Sequence, residues 1–220
     1  LPDGSVMAVG GSDDYHNAPW TQYDENRAVR EIEYFVPGGS TRDDFWRTDG
    51  RSQIAVPRLY HSTAILLLDG RVMVGGGNVS DAYNKKYLDG KESSFRDIEI
   101  VTPDYYDNGL KPQFLIDKTS LFYGDTLTIT LVEGSTVNAL SKLAMFIRCA
   151  SFTHAFGYDQ RAVQLFPYGS LTSTRYDIRI PNNRNIMPPG YYMLFIVSDK
   201  GVPSCGQMVR VGGSFSSSWS

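Results

Sequence analysis

An all-β protein with two different grammars is the fold class this sequence predicts, and three observations carry it. Helical periodicity is almost absent, apart from weak stretches around residues 24–34 and 84–92. Short apolar runs alternate instead with Gly and Pro. Nine of the 21 glycines stand in pairs or a triplet, at 10–11, 38–39, 75–77 and 212–213, and such runs punctuate strands. The punctuation then changes near residues 102–112, where glycine-stopped units give way to closely spaced strands without those stops. The expected architecture is a slice of a β-propeller over residues 1–104, then an immunoglobulin-like β-sandwich over 105–212. The Gly/Ser-rich end, 213–220, reads as a flexible tail.

The first part rests on an internal repeat. Leu1-Pro-Asp-Gly-Ser-Val-Met-Ala-Val-Gly-Gly11 is echoed by Leu67-Leu-Asp-Gly-Arg-Val-Met-Val-Gly-Gly-Gly77. Each unit has an Asp-Gly turn, an apolar strand and a glycine stop. Asp-Gly suits a tight hairpin because both central residues can take positive φ. His61-Ser-Thr-Ala-Ile-Leu-Leu-Leu68 supplies the other arm of the second hairpin. The 66-residue offset exceeds the roughly 40–50 of common propeller blades, which long outer loops would explain. Two copies cannot close a ring of about 4–8 blades, so most of the ring is expected to lie outside this chain. The start on Leu-Pro-Asp-Gly, without Met, carries the same expectation of a fragment or processed product.

The second part opens at Pro112-Gln-Phe114. Strands are expected at 120–122, 126–131, 142–149, 162–166, 176–180, 191–198 and 207–211. Seven short strands in about 100 residues are the pattern of a sandwich.

Composition narrows the partners. Hydrophobic residues at 41% and charged residues at 20% give a sizeable core and exclude a disordered chain. A net charge of -3 without a basic cluster argues against nucleic acid. No apolar run approaches the ~20 residues of a membrane span. Cys149 and Cys205 allow one disulfide without establishing it, and free buried thiols are the other reading. Asn78-Val79-Ser80 is a glycosylation sequon, permitted on a surface loop, and tilts the compartment slightly toward a secreted or cell-surface protein.

The chain holds three histidines, His16, His61 and His154. A lone His is more often a hydrogen-bonded residue than a ligand. Tyr60 directly precedes His61, and neighbours on an extended strand face opposite sides. Both could reach one metal only at a strand end or a bulge. Pro57 and the apolar run starting at residue 64 place the pair at such an entry. Asp159-Gln160-Arg161 reads as a structural clasp near His154, with Arg161 able to make a bidentate pair.

Five segments, in order, resemble the galactose oxidase and glyoxal oxidase family of copper radical oxidases. They are Pro57-Arg-Leu-Tyr-His-Ser62; Leu66-Leu-Leu-Asp-Gly-Arg-Val72 with Gly75-Gly-Gly77; Thr153-His154 with Asp159-Gln-Arg161; Pro189-Gly-Tyr-Tyr-Met-Leu-Phe195; and Gly201-Val-Pro-Ser204. The resemblance runs from Leu1 to about Val211. It implies a seven-bladed kelch-like propeller capped by a C-terminal sandwich whose loop brings a copper ligand to the propeller axis. Tyr60 matches the family's axial tyrosine and catalytic base, and His61 and His154 match its imidazole ligands. The set suits Cu(II), which favours tetragonal nitrogen and oxygen donors. The family's tyrosine–cysteine radical pair belongs to earlier blades, and neither Cys149 nor Cys205 matches its position. Trp20 falls roughly where relatives place an aromatic wall against the substrate, and His16 shares that loop. No Cys stands at 78–88, where some galactose oxidase-like proteins carry a short disulfide loop, which leaves the substrate open. The implied activity is oxidation of a primary alcohol or aldehyde by O2 to give H2O2. Two other expectations stand beside it. One is a non-catalytic scaffold or carbohydrate-binding protein of the same fold. The other is a two-chain enzyme whose missing N-terminal blades come from another chain.

Overall fold

The computed structural model describes residues 1–13, 25–38, 43–79, 93–132, 135, 143–154, 156–168 and 174–212. His16, Trp20, the stretch 84–92 and the tail 213–220 lie outside the described residues.

The described residues form an all-β structure, as expected, with 3-10 turns and no α-helix. Strands β1 (Val6–Ala8), β2 (Glu31–Val36) and β3 (Phe45–Gln53) make one antiparallel sheet in the order β1-β2-β3. The weak helical stretch at 24–34 is instead a single 3-10 turn, Glu25–Arg27, leading into β2. The period decides it: Ile32 and Tyr34 are wholly buried while Glu31 and Glu33 are exposed, an alternation of two rather than 3.6.

Strands β4 (Tyr60–Leu66) and β5 (Val72–Val79) form the hairpin foreseen from the second repeat. Both β6 (Ser93–Ser94) and β7 (Ile98–Val101) pair with the far side of β5. Its turn differs from the two-residue form expected of Asp-Gly. The Gly70 N–H bonds to the Leu67 carbonyl, the Leu67 N–H bonds to the Arg71 carbonyl, and only Gly70 has positive φ (87°). That is a three-residue loop, a type I turn followed by a glycine bulge, in which Asp69 needs no left-handed backbone. The first repeat closes in the same way: the Gly4 N–H bonds to the Leu1 carbonyl, with Gly4 at φ 92°.

The second part is a two-sheet sandwich. One sheet runs β15 (Pro167–Tyr168), β16 (Arg175–Arg179), β10 (Thr126–Leu131), β8 (Phe114–Ile116). The other runs β14 (Ala162–Leu165), β11 (Leu143–Arg148), β17 (Gly190–Val197), β18 (Gln207–Val211), β9 (Ser120–Leu121), with only the last pair parallel. All seven expected strands have counterparts here. Leu127, Ile129, Tyr176 and Ile178 from the first sheet meet Phe146, Tyr192, Leu194 and Ile196 from the second.

The five-stranded sheet is also buried on its other face. Met145 and Ile147 of β11, with Met193, Phe195 and Val197 of β17, pack against Ile32, Tyr34, Leu66, Val72, Val74 and Val101 of the N-terminal sheets. Alternate residues thus serve two cores, which is why 191–198 reads as an unbroken apolar run.

Cys149 and Cys205 are free and exposed, so neither the disulfide nor the buried-thiol reading holds. Cys149 follows the end of β11 and Cys205 precedes β18, both outside the packed strand positions. Asn78 is no loop residue either. It lies half-buried in β5, in register with Tyr60 on one side and Ser94 on the other. No helix among the described residues is long and apolar enough to cross a membrane.

Candidate metal centre

The Tyr60-His61 pair stands at the entry to β4, where strand geometry is suspended. The Ser62 N–H bonds to the Leu59 carbonyl at 3.0 Å, closing a four-residue turn, and His61 at its third position has φ 63°. Positive φ at that position marks a type II-like turn and costs a non-glycine residue strain of about 1–3 kcal/mol. Its effect is to cancel strand alternation. The two rings lie on one side, stacked with centroids 3.8 Å apart and planes at 29°.

The glycine triplet makes room for this turn. A Cβ on Gly76 would stand 3.1 Å from the His61 carbonyl oxygen, and one on Gly77 would stand 3.2 Å from the Leu59 nitrogen. Gly10 of the first repeat approaches from the other sheet, where a Cβ would lie 2.4 Å from the Arg58 carbonyl oxygen. The Gly11 N–H donates to that same oxygen at 2.9 Å. The two glycine stops of the repeat therefore converge on one segment, residues 57–61.

His154 arrives from the sandwich. Strands β12 (Ser151–Thr153) and β13 (Phe156–Tyr158) form a hairpin between β11 and β14, and His154 lies at its tip with φ 53°. Phe152 packs over Gly157, where an added Cβ would come within 2.8 Å of the ring. Both strands of the hairpin touch β4. The His154 ring meets that of His61 edge-on at 4.7 Å and that of Tyr60 at 5.9 Å. Its Nδ1 lies 2.7 Å from the Thr153 hydroxyl, which leaves Nε2 as the nitrogen for another partner. Both imidazoles are exposed and Tyr60 is half-buried. A cleft of about 640 Å³ lies against Tyr60 and His154, walled by Gly10, Leu59, Phe152 and Phe156.

The structure thus gathers Tyr60, His61 and His154 from two separate parts of the chain. Among the described residues no group of three or more His, Cys, Asp or Glu could hold a metal, and what meets here is two imidazoles and a phenol. The clasp expected at 159–161 takes another form. Arg161 donates to the backbone carbonyls of Asn185 and Ile186 rather than to a carboxylate, and Asp159 pairs with Arg148 at 3.0 Å.

Sequence reasoning gave Arg58 no role. Its side chain is wholly buried and bonds to the Gly76 carbonyl and the Glu99 carboxylate, each at 2.9 Å. A buried arginine beside the Tyr-His pair was visible only as a letter in the motif, because its acidic partners lie some 40 residues further on.

Comparison with known proteins gives the chain its relatives. Residues 111–211 match the galactose oxidase-like Early set domain. The chain is 31% identical over 220 residues to galactose oxidase of Gibberella zeae, covering 96% of this chain and 28% of that protein. It is 30% identical over 168 residues to aldehyde oxidase GLOX1 of Arabidopsis thaliana, covering 71% of this chain and 26% of the relative. A fungal alcohol oxidase solved in complex with copper superposes with a TM-score of 0.74 at 25% identity, over 97% of this chain and 41% of that one. The chain therefore spans less than a third of the length of the galactose oxidase and of GLOX1, and less than half of the solved alcohol oxidase. With its Early set domain at residues 111–211 and its likeness to both oxidases along most of its length, the chain belongs to the galactose oxidase and glyoxal oxidase family.

Proposed function

We propose that this chain is the C-terminal part of a copper radical oxidase, in which Tyr60, His61 and His154 hold the copper. The observation that carries the reading is the left-handed turn at His61, which stacks Tyr60 on His61 and presents both to His154 from the sandwich hairpin. The donor chemistry fits: two imidazole nitrogens and one phenol oxygen suit Cu(II). Residues 1–104 are assigned to the last blades of a seven-bladed kelch-like propeller, and 105–212 to the sandwich. The remaining blades, with the tyrosine–cysteine radical pair, come from outside this chain.

Copper bound there supplies a Lewis acid and a one-electron redox partner. The residues do the rest. His61 and His154 each offer a ring nitrogen, and the Thr153 hydroxyl on Nδ1 fixes the orientation of the second ring. Tyr60, facing the cleft, would hold copper as the phenolate, the form that can accept the hydroxyl proton of the substrate as general base. The cleft beside Phe152 and Phe156 has room for a small alcohol or aldehyde. Trp20, outside the described residues, is the proposed wall against the substrate. Overall, a primary alcohol loses two electrons and two protons to give an aldehyde, and O2 takes them up as H2O2. An aldehyde reacts through its hydrate to the acid. Release of peroxide fits a secreted or cell-surface protein.

Copper titration of the intact protein, followed by EPR, tests the site. His61→Ala and His154→Ala are each expected to abolish the Cu(II) signal of the bound site. Unchanged binding in both variants overturns the assignment.

A further inference from the structure

Arg58 is the one charged side chain among the described residues that is wholly buried, and it lies two residues before Tyr60. Its guanidinium reaches two separate segments, β5 and the 97–99 stretch at the start of β7. One terminal nitrogen donates to the Gly76 carbonyl at 2.9 Å and to the Asp97 carbonyl at 3.3 Å. The other donates to Glu99 Oε1 at 2.9 Å and lies 3.4 Å from the Asp97 carboxylate. Nε finds no acceptor. A guanidinium taken fully out of water and left with one unmet donor is not an economical way to stabilise a fold, since apolar packing of similar volume often does as well. What this arrangement achieves is placement.

The Glu99 carboxylate also accepts the backbone N–H groups of Ala55 (2.5 Å) and Val56 (3.2 Å). It therefore holds residues 55, 56 and 58 at once, from strand β7. The Arg58 backbone is fixed independently: its carbonyl takes the Gly11 N–H, and Gly10 and Gly77 crowd it from opposite sides. Arg58 also grips Gly76, whose own α-carbon faces the His61 carbonyl. The β5 and β7 segments beside the start of the 59–62 turn are thus tied to one guanidinium.

We infer that Arg58, locked by Glu99, is a positioning residue for the Tyr60–His61 pair, setting the strained turn that aims both rings at one metal. The inference rests on the copper reading of Tyr60, His61 and His154.

The test uses the intact protein with Arg58→Lys and Glu99→Gln, and His61→Ala as the control for the copper reading. Two quantities are read: Cu(II) affinity with the EPR spectrum, and hydrogen exchange of residues 57–64 in the copper-free protein. Both variants are expected to weaken Cu(II) binding about 10-fold or more, as loss of partners behind a ligand does, and to alter the Cu(II) hyperfine pattern. The Ser62 amide should exchange faster in both, while the sandwich core keeps its protection. Should Arg58→Lys fail to fold, Glu99→Gln decides alone, because it keeps the size of the side chain and one acceptor oxygen, although the Ala55 and Val56 N–H groups bond to different oxygens of Glu99. Glu99→Gln with unchanged affinity and spectrum overturns the inference, even if Ser62 exchange rises, since the role is then structural only. If His61→Ala binds copper normally, the copper reading fails by itself, and Ser62 exchange in the copper-free protein still reports whether Arg58 holds the turn.

Discussion

At the scale of single residues, the site depends on backbone that side chains rarely adopt. His61 and His154 both have positive φ, and each uses it to turn an imidazole away from its strand. Glycines absorb the crowding that results. Gly10 is the tightest case, because its φ is 78° and an added Cβ would collide with the Arg58 carbonyl at 2.4 Å. Gly10→Ala is therefore expected to cost about 1–3 kcal/mol of stability, measured by denaturant unfolding, and to weaken Cu(II) binding as the 57–61 segment shifts. Tyr60 and His61 were singled out by the family resemblance of the 57–62 segment, and Pro57 with the apolar run from residue 64 agreed in placing them at a strand entry. Arg58 was not, since burial and ion pairing with Glu99 depend on β7 lying beside that entry.

At the scale of elements, the β12–β13 hairpin decides where His154 stands. Sequence reasoning named His154 by family resemblance but foresaw no hairpin, because strands of three residues carry no readable alternation. The hairpin is exposed along most of its length, so its residues can be changed with little effect on folding. Thr153→Val removes the hydroxyl beside His154 Nδ1 while keeping the shape. It is expected to lower Cu(II) affinity about 10-fold and to shift stability by no more than about 0.5 kcal/mol. Parallel copper titration and thermal unfolding would check both halves. The Asp-Gly turns teach the reverse lesson. Their positions were read correctly, but the loop takes three residues, since the flanking pair Leu67–Arg71 bonds and only glycine accepts positive φ there.

At the scale of the whole molecule, the five-stranded sheet joins two cores into one body. Phe195 is wholly buried on the side facing the N-terminal sheets, while its neighbours Leu194 and Ile196 fill the sandwich. Phe195→Ala is expected to cost about 3–5 kcal/mol in urea unfolding and to loosen the join, so that Cu(II) binding falls as well. An equal loss of stability with unchanged copper affinity would show that the two parts need not be held together for the site. The far end of the β4–β5 hairpin is fastened too. The Tyr105 and Tyr106 hydroxyls donate to the carbonyls of Gly70 and Asp69, and Lys111 donates to Asp69 as well. Burial pushes the Tyr105 phenol well above its usual range, so it stays a donor. A rigid hairpin thus runs from this fastening to the Tyr60-His61 turn.

The sequence by itself determined the strand content, the repeat with its glycine stops and the seven sandwich strands, while Tyr60, His61 and His154 were singled out by family resemblance. Those follow from local chemistry: alternation, turn residues and motif order are written in neighbouring letters. Only the tertiary structure decided that two glycine stops meet on Arg58, that His61 takes a left-handed backbone, and that a sandwich hairpin delivers His154 to within 4.7 Å of it. The physical reason is that these depend on close packing between segments tens of residues apart. Such packing has no period, and it appears only once the second face of the five-stranded sheet is buried.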